Sequence, residues 1–542
     1  VTPINAGLRL DPERAPDTGI ARLQTGRTAF VGRTLRGPVS RPVFLRSFAE
    51  FQQIFGGLWQ PSPLGYAVEQ FFDNGGREAI VVRVVNGARA STLTLAAGAG
   101  ELRLRAVRPG TREFLRACVD HDNIPPGNQV EFNLTVQRVR AQGTEQVEDQ
   151  EIFRNLSVSP GSARHVGRLL AESELVEVAG RIPPVRPDKT LDPGSGVAMR
   201  YVTSNADGDD GAPVTDYDLI GSEADKTGLF ALDNGDSFNL LCIPPLTRTQ
   251  DVGPSALLVA ARYAKERRAL LIVDPPVAWH TADDALRAMR GWQFASENSL
   301  MYFPRILAHD KLRGHFESFA PCGAVAGMLA RADESSPVWG PLRNEDVGLR
   351  PGFRPSCLVA EDRRRRLAAM GVNTIQAVRP ARRSVVTPRT LAAGTAGAAD
   401  WQSLAARRRA LFILNSVERG TRWVVNAAAN QNVPELVAAE VRAFFERLHH
   451  AGSFGDRPLQ ESFFVICDGR MNPVHAASAD FQLLIGFAAS RPHEFHSFRI
   501  THSPSGSKVT PATLNRLNDL RFSPEEIEWV DALANQLLAH PP

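Results

Sequence analysis

Between Glu461 and Ile500 apolar positions recur at the period of a strand. Phe464 to Cys467 is a short apolar run, Phe481, Leu483, Ile485 and Phe487 alternate with Gln482, Leu484, Gly486 and Ala488, and Phe498 and Ile500 begin a third run. A sheet of two or three strands has unpaired backbone groups along its edges, which are covered or accept a strand from another chain. The segment is therefore a candidate socket, with Phe481, Leu483, Ile485, Phe487, Phe498 and Ile500 in the receiving sheet. The opposite pattern occupies residues 1–24, rich in Pro, Gly and charge, with Ile4, Leu8 and Leu10 spaced among them. So little apolar surface does not offset the entropy of ordering, which makes this stretch an arm that docks elsewhere and a candidate exported strand.

Between these ends the pattern divides the chain. Tyr66, Ala67, Gln70, Phe71 and Phe72 give a helical face, Asn74, Gly75 and Gly76 end it, and Ala79 to Val85 reads as an interior strand interrupted by Arg83. From Gly87 to about Lys226 short alternating runs predict a β-rich unit, and 203–226, with its Asp-Gly clusters, predicts the linker back. From Leu229 apolar strands alternate with helices: strands at Phe238 to Ile243 and Ala269 to Val273, helices near Pro254 to Arg267 and Ala282 to Trp292, and a further strand in MYFPRI. That rhythm implies a mostly parallel sheet covered on both faces. Past Thr390, a basic helix at Leu404 to Gly420 precedes one whose apolar face is Val437, Val441, Phe444, Phe445 and Leu448. After Ile500 come SPSGSK and two predicted helices, Pro511 to Leu520 and Ser523 to Leu538, the second opening on the capping signature Ser523-Pro524-Glu525-Glu526.

At 542 residues the chain exceeds one compact core and is expected to form three or four units. With 62 basic against 59 acidic side chains, nothing favours nucleic acid or a membrane surface, and no apolar stretch reaches the length of a bilayer span. No charged-then-apolar leader opens the sequence. Five scattered cysteines read as reduced, buried thiols of a protein made in a cytosol.

The series TAFVGRTLRGPVSRPV, FAEFQQIFGG, SPLGYAVEQFFDNGG and VVRVV resembles the N-terminal signature of contractile phage tail sheath proteins, including those of R-type bacteriocins and extracellular injection systems. The resemblance resumes at DSFNLLCIPP, RRALLIVDPPVAW, APCGAVAGMLARAD, GVNTIQAV, RTLAAG and RRRALFILNSVERGTRWVV, and ends in FFVICDGRMNP and FHSFRI. PGTREFLRAC departs from the family's Pro-Gly-x-Trp-Gly-Asn, and the chain continues past the usual final strand. The resemblance implies a multidomain α/β protein: an arm (1–24), a subtilisin-like α/β core without catalytic residues (25–86 and 227–390), an inserted β-rich domain (87–226), a C-terminal α+β domain with the strand-exchange sheet (391–500) and a helical extension (501–542). It implies a structural, non-enzymatic subunit without cofactors, part of a phage tail or tail-like particle. Subunits would polymerise as stacked hexameric rings around an inner tube protein, with baseplate and terminator proteins at the ends, and contract to drive the tube through an envelope. A specialised end-of-sheath paralogue is the nearer alternative, and a soluble hydrolase on the same core the further one.

Candidate chemistry is sparse. Asp274 ends a predicted strand, where α/β enzymes place functional groups, but a carboxylate held by backbone N–H groups at a strand–Pro-Pro turn is the preferred reading. His493 and His496 form an H-x-x-H without further ligands in order, and His449-His450 closes a helix, where a cation suits the dipole. No phosphate-loop, nucleophile-elbow or zincin motif occurs. Arg363 to Arg366 and Arg407, Arg408 and Arg409 read either as solvated helix faces or as charge meeting a neighbouring subunit or the tube. Because the family docks its tube through the C-terminal domain, Glu440, Arg442, Glu446 and Arg447 are the candidate tube-facing charges.

Overall fold

The computed structural model describes residues 19–21, 23–140, 146–196, 199–340, 342–343, 348–376, 385–386, 388–393, 399–426, 432–469, 471–473, 480–488 and 495–512. The predicted alternation of strands and helices builds a seven-stranded sheet. Thr28–Gly32 lies inside it, parallel to Ala79–Arg83 on one side and Leu240–Cys242 on the other. The sheet extends in parallel through Leu270–Val273, Ser299–Phe303 and Val372–Thr374, and is closed at the opposite edge by Val43–Leu45, its one antiparallel strand. Because side chains alternate across a strand, Phe30 and Val81 face one layer while Ala29, Val31 and Val82 face the other.

On the first face the helices Leu64–Asp73 and Cys322–Ser335 cross closely. Glycine permits the crossing: a Cβ at Gly323 would lie 2.0 Å from the Ala67 carbonyl oxygen, and one at Gly327 2.4 Å from that of Phe71. Pro254–Glu266 and Ala282–Met289 cover the other face, the latter opened by the capping box of Thr281 and Asp284. No helix among the described residues is long and apolar enough to cross a membrane.

The stretch after Val85 folds on its own apolar centre of Leu95, Leu104, Leu134, Val136, Leu156 and Leu170. Thr92–Ala97, Gly100–Ala106 and Val176–Val178 form one sheet, and Leu115–Asp120, Glu131–Val139, Val147–Ser157 and Val202–Thr203 the other. The outgoing and returning chains are zipped by antiparallel bridges, Asn86 to Ala212 and Arg89 to Asp209. Arg83, buried at the end of its strand, reaches across to donate to the Gly37 and Pro109 carbonyl oxygens at 2.7 and 2.9 Å.

At the C-terminal side the helices Leu404–Thr421 and Val433–His450 lie on a four-stranded antiparallel sheet: Phe463–Ile466, Phe481–Ala488, Phe495–Ser503 and Gly506–Ala512. The last strand, Gly506–Ala512, corrects the expectation of SPSGSK followed by a helix from Pro511. After Ser503 the chain turns at Gly506, whose φ of 140° suits glycine, and runs back with Val509 opposite Ile500. Pro511 is tolerated because the strand is an edge. The remainder of the predicted helices, 513–542, lies outside the described residues, as do Ile4, Leu8, Leu10 and His493.

Candidate strand-exchange interface

The C-terminal sheet is held by its inward face. Leu483, Ile485, Phe487, Phe498 and Ile500 are buried, with Phe481 partly so, and they pack against Ile413, Val417, Val437, Val441, Phe444 and Phe445 of the two helices. Phe487 stacks on Phe498 with ring centroids 5.6 Å apart, and Phe445 stacks on Phe463 at 4.7 Å. All six residues read as the receiving sheet are therefore its core-facing side chains. Reception of a strand would fall to the main chain at the edges: Phe463–Ile466 and Gly506–Ala512 each have a partner on one side only among the described residues.

His502, which the sequence reading passed over, pins the final strand. Thr421 Oγ1 donates to Val417 O at 2.7 Å, so it accepts from His502 Nε2 at 2.8 Å, and His502 Nδ1 accepts from Ser507 Oγ at 2.7 Å. One buried neutral ring thus ties the Phe495 strand, the Gly506 strand and the first helix together, and burial holds its pKa below the usual histidine value. A polar residue at a buried strand position next to a Ser-Gly-Ser turn was the available signal.

The base of the N-terminal arm lies on this same body. Ile20 is buried in the C-terminal core beside Gly420, Arg447 Nη2 donates to Ile20 O at 3.2 Å, and Thr25 Oγ1 donates to Asp333 at 2.6 Å. Residues 19–21 and 23–25 are thus seated on their own chain, which corrects an exported strand reaching as far as Gln24; only 1–18 stay eligible.

The candidate charges distribute differently from expectation. Arg442 Nη2 donates to Val465 O at 3.4 Å, on the open edge strand, and Arg447 holds Ile20 as above. Glu440 is partly buried with Trp423 as hydrogen-bond partner, and burial pushes its pKa up, whereas Glu446 is exposed. Arg407, Arg408 and Arg409 are a clear correction: all three are buried, and none is a solvated or tube-facing charge. Consecutive helix positions point about 100° apart, so the three reach different parts of the fold. Arg407 donates to Asn298 Oδ1 at 2.5 Å, Arg408 to Asp333 Oδ2 at 2.5 Å, and Arg409 to the Ser453 carbonyl and, at 3.0 Å, that of Ala488. Burial lowers the Arg407 and Arg409 pKa values to about 10, which leaves both charged at neutral pH. Arg363 to Arg365 lie on a short helix and pair with Asp283, Asp362 and Glu361.

The remaining chemical candidates have structural partners. Asp274 Oδ1 accepts the Cys322 N–H at 2.8 Å, and burial raises its pKa to about 6. His496 pairs with Asp400 at 3.3 Å and stacks near Trp401, and His449 Nε2 lies 2.7 Å from Arg457 O. No group of three or more potential metal ligands occurs among the described residues.

No protein-family model matches the chain, and no curated protein sequence is similar to it. Solved structures are similar in fold along nearly its whole length. The sheath tail protein of Listeria innocua superposes with a TM-score of 0.58 at 13% identity, covering 90% of this chain and 97% of that one. The sheath tail protein of Desulfitobacterium hafniense gives 0.50 at 12%, covering 92% and 100%. The contracted PVC sheath complex of an extracellular contractile injection system gives 0.51 at 13%, covering 91% and 96%. The chain has the fold of contractile tail sheath proteins.

Proposed function

We propose that this chain is the structural sheath subunit of a contractile injection apparatus, and that it performs no catalysis. The observation that carries the reading is a sheath fold spanning all three parts of the molecule, with a C-terminal sheet whose edge strands have a partner on one side only among the described residues. Subunits would assemble as stacked hexameric rings around an inner tube, with baseplate and terminator proteins at the ends, from protein made in a bacterial cytoplasm. The core (25–86 and 227–390) would have subtilisin-like topology, with the insert at 87–226 and the exchange domain at 391–500. Residues 1–18 would add a strand to the sheet of a neighbour, where Arg442 marks the Phe463–Ile466 edge.

Contraction then draws on free energy stored at assembly. A bias of about 5.5 kcal/mol converts a 1:99 population to 99:1, so a few kcal/mol per subunit, summed over coupled rings, makes the transition one-way. Main-chain ladders tether neighbours while side-chain interfaces change around them. Deletion of residues 1–18 is expected to leave a folded monomer that forms no long striated cylinders in negative-stain electron micrographs, while the full chain forms them. Cylinders from the truncated chain would rule out the arm assignment, and uniform small particles from the full chain would rule out the sheath assignment.

A further inference from the structure

Among the described residues, helices pack on one face of the C-terminal sheet. The other carries Phe464, Leu484, Phe495 and Ala512, together with Arg499 and Lys508, and it holds no carboxylate. Leu484 is 0% exposed and Phe464 6%, yet the only apolar side chain from outside the sheet packed with them among the described residues is Met471. Burial this complete, on the side turned away from the helices, requires another layer. Arg499 on this face is half-buried, and its Nε is enclosed without a hydrogen-bond partner among the described residues.

We infer that this face is the docking site of the chain's own C-terminal segment, residues 513–542. The described chain stops at Ala512, on this face opposite Ser497, so the segment starts where it has to bind. In residues 523–538, Ile527, Val530, Leu533 and Leu537 recur at helical spacing behind a capping signature. A helix of that length measures about 24 Å, enough to cross four strands spaced about 4.8 Å apart. Charge agrees: this stretch carries Glu525, Glu526, Glu528 and Asp531 and no Lys or Arg, while the face offers Arg499 and Lys508. The apolar side covers Phe464, Leu484 and Phe495, and the carboxylates complement the charges of Arg499 and Lys508. A tail sealed onto its own sheet is not a strand donor, which leaves residues 1–18 as the end available to a neighbour.

The test uses the full chain with p-benzoylphenylalanine at position 495, irradiated and digested, in an equimolar mixture of natural-abundance and nitrogen-15-labelled protein. The expected product joins position 495 to a peptide from 513–542 of the same isotopic label. Crosslinks to any other segment, mixed-label products, or no crosslink would each overturn the inference, the mixed label by assigning the face to the tail of a second copy. In a companion measurement, E525K/E526K/E528K is expected to speed amide exchange across 482–486 several-fold, and adding Arg499→Glu to slow it again. Unchanged exchange in the triple variant, or no recovery on charge reversal, would also overturn it.

Discussion

Arg408 shows how a local reading and a packed environment diverge. Three successive arginines look like a solvated stripe because sequence reports charge and not direction, whereas the helix bearing them is buried on most sides. Its guanidinium faces Asp333, with side-chain exposures of only 6% and 8%. Removing one partner strands a buried charge, so Arg408→Ala is expected to lower unfolding free energy by about 3–5 kcal/mol, measured by urea denaturation. The double change Arg408→Met with Asp333→Leu is expected to recover most of that loss. Asp274 gives the opposite sign. Its folded pKa of about 6 lies above the unfolded carboxylate value of about 3.9, so the native state binds the proton more tightly. The wild type should gain stability relative to Asp274→Asn as pH falls from 7 to 4.5, by about 2 kcal/mol. Urea midpoints at the two values check this, and parallel pH profiles for the two proteins would refute it.

The strand at Phe481–Ala488 and the helix at Val433–His450 were legible because one face of each is buried, which imposes periods of 2 and about 3.6 on the sequence. Gly506–Ala512 was not legible. It offers a single large apolar residue, Val509, between Lys508 and Thr510, and includes Pro511, because an edge strand owes its place to backbone pairing and to contacts made by its neighbour. The contact that matters is the His502 ring. Its folded pKa is held below the unfolded value of about 6.5. Stability from the neutral ring is therefore complete above that pH and declines as pH falls toward the folded pKa. The charge of Glu418, itself bound by Arg268 and Arg422, acts the other way and partly offsets the decline. Amide exchange in 506–512, corrected for intrinsic rate, should accelerate below pH 6.5 in the wild type and be nearly pH-independent in His502→Gln. Equal pH dependence in the two would show that the ring does not fasten the strand.

Taken whole, the molecule is a parallel-sheet core with two appendages, and each is joined to it differently. The change from an α/β rhythm to short β-like runs after Gly87, and the C-terminal helices and strands, could be read from the hydrophobic period. The manner of joining could not, since it rests on long-range pairs such as Arg36 with Glu148 and Arg268 with Glu418. The insert leaves and returns through the Asn86–Ala212 bridge and keeps its own apolar centre. Replacing residues 87–211 with an Asn-Gly turn, with Arg83→Met to remove a buried cation that loses the Pro109 carbonyl, should give a soluble protein. That protein should unfold cooperatively, followed by circular dichroism, and aggregation on expression would contradict the independence of the insert. The C-terminal part is fastened quite otherwise, along the crease where Ile20, Thr25, Asp333, Arg408 and Arg447 meet. A strain relayed along the leading residues from an adjacent subunit would arrive at this crease, and not at a slack loop. The contacts that fasten the two bodies together would thus feel the pull, so that a tug on the tether would load the seam between them.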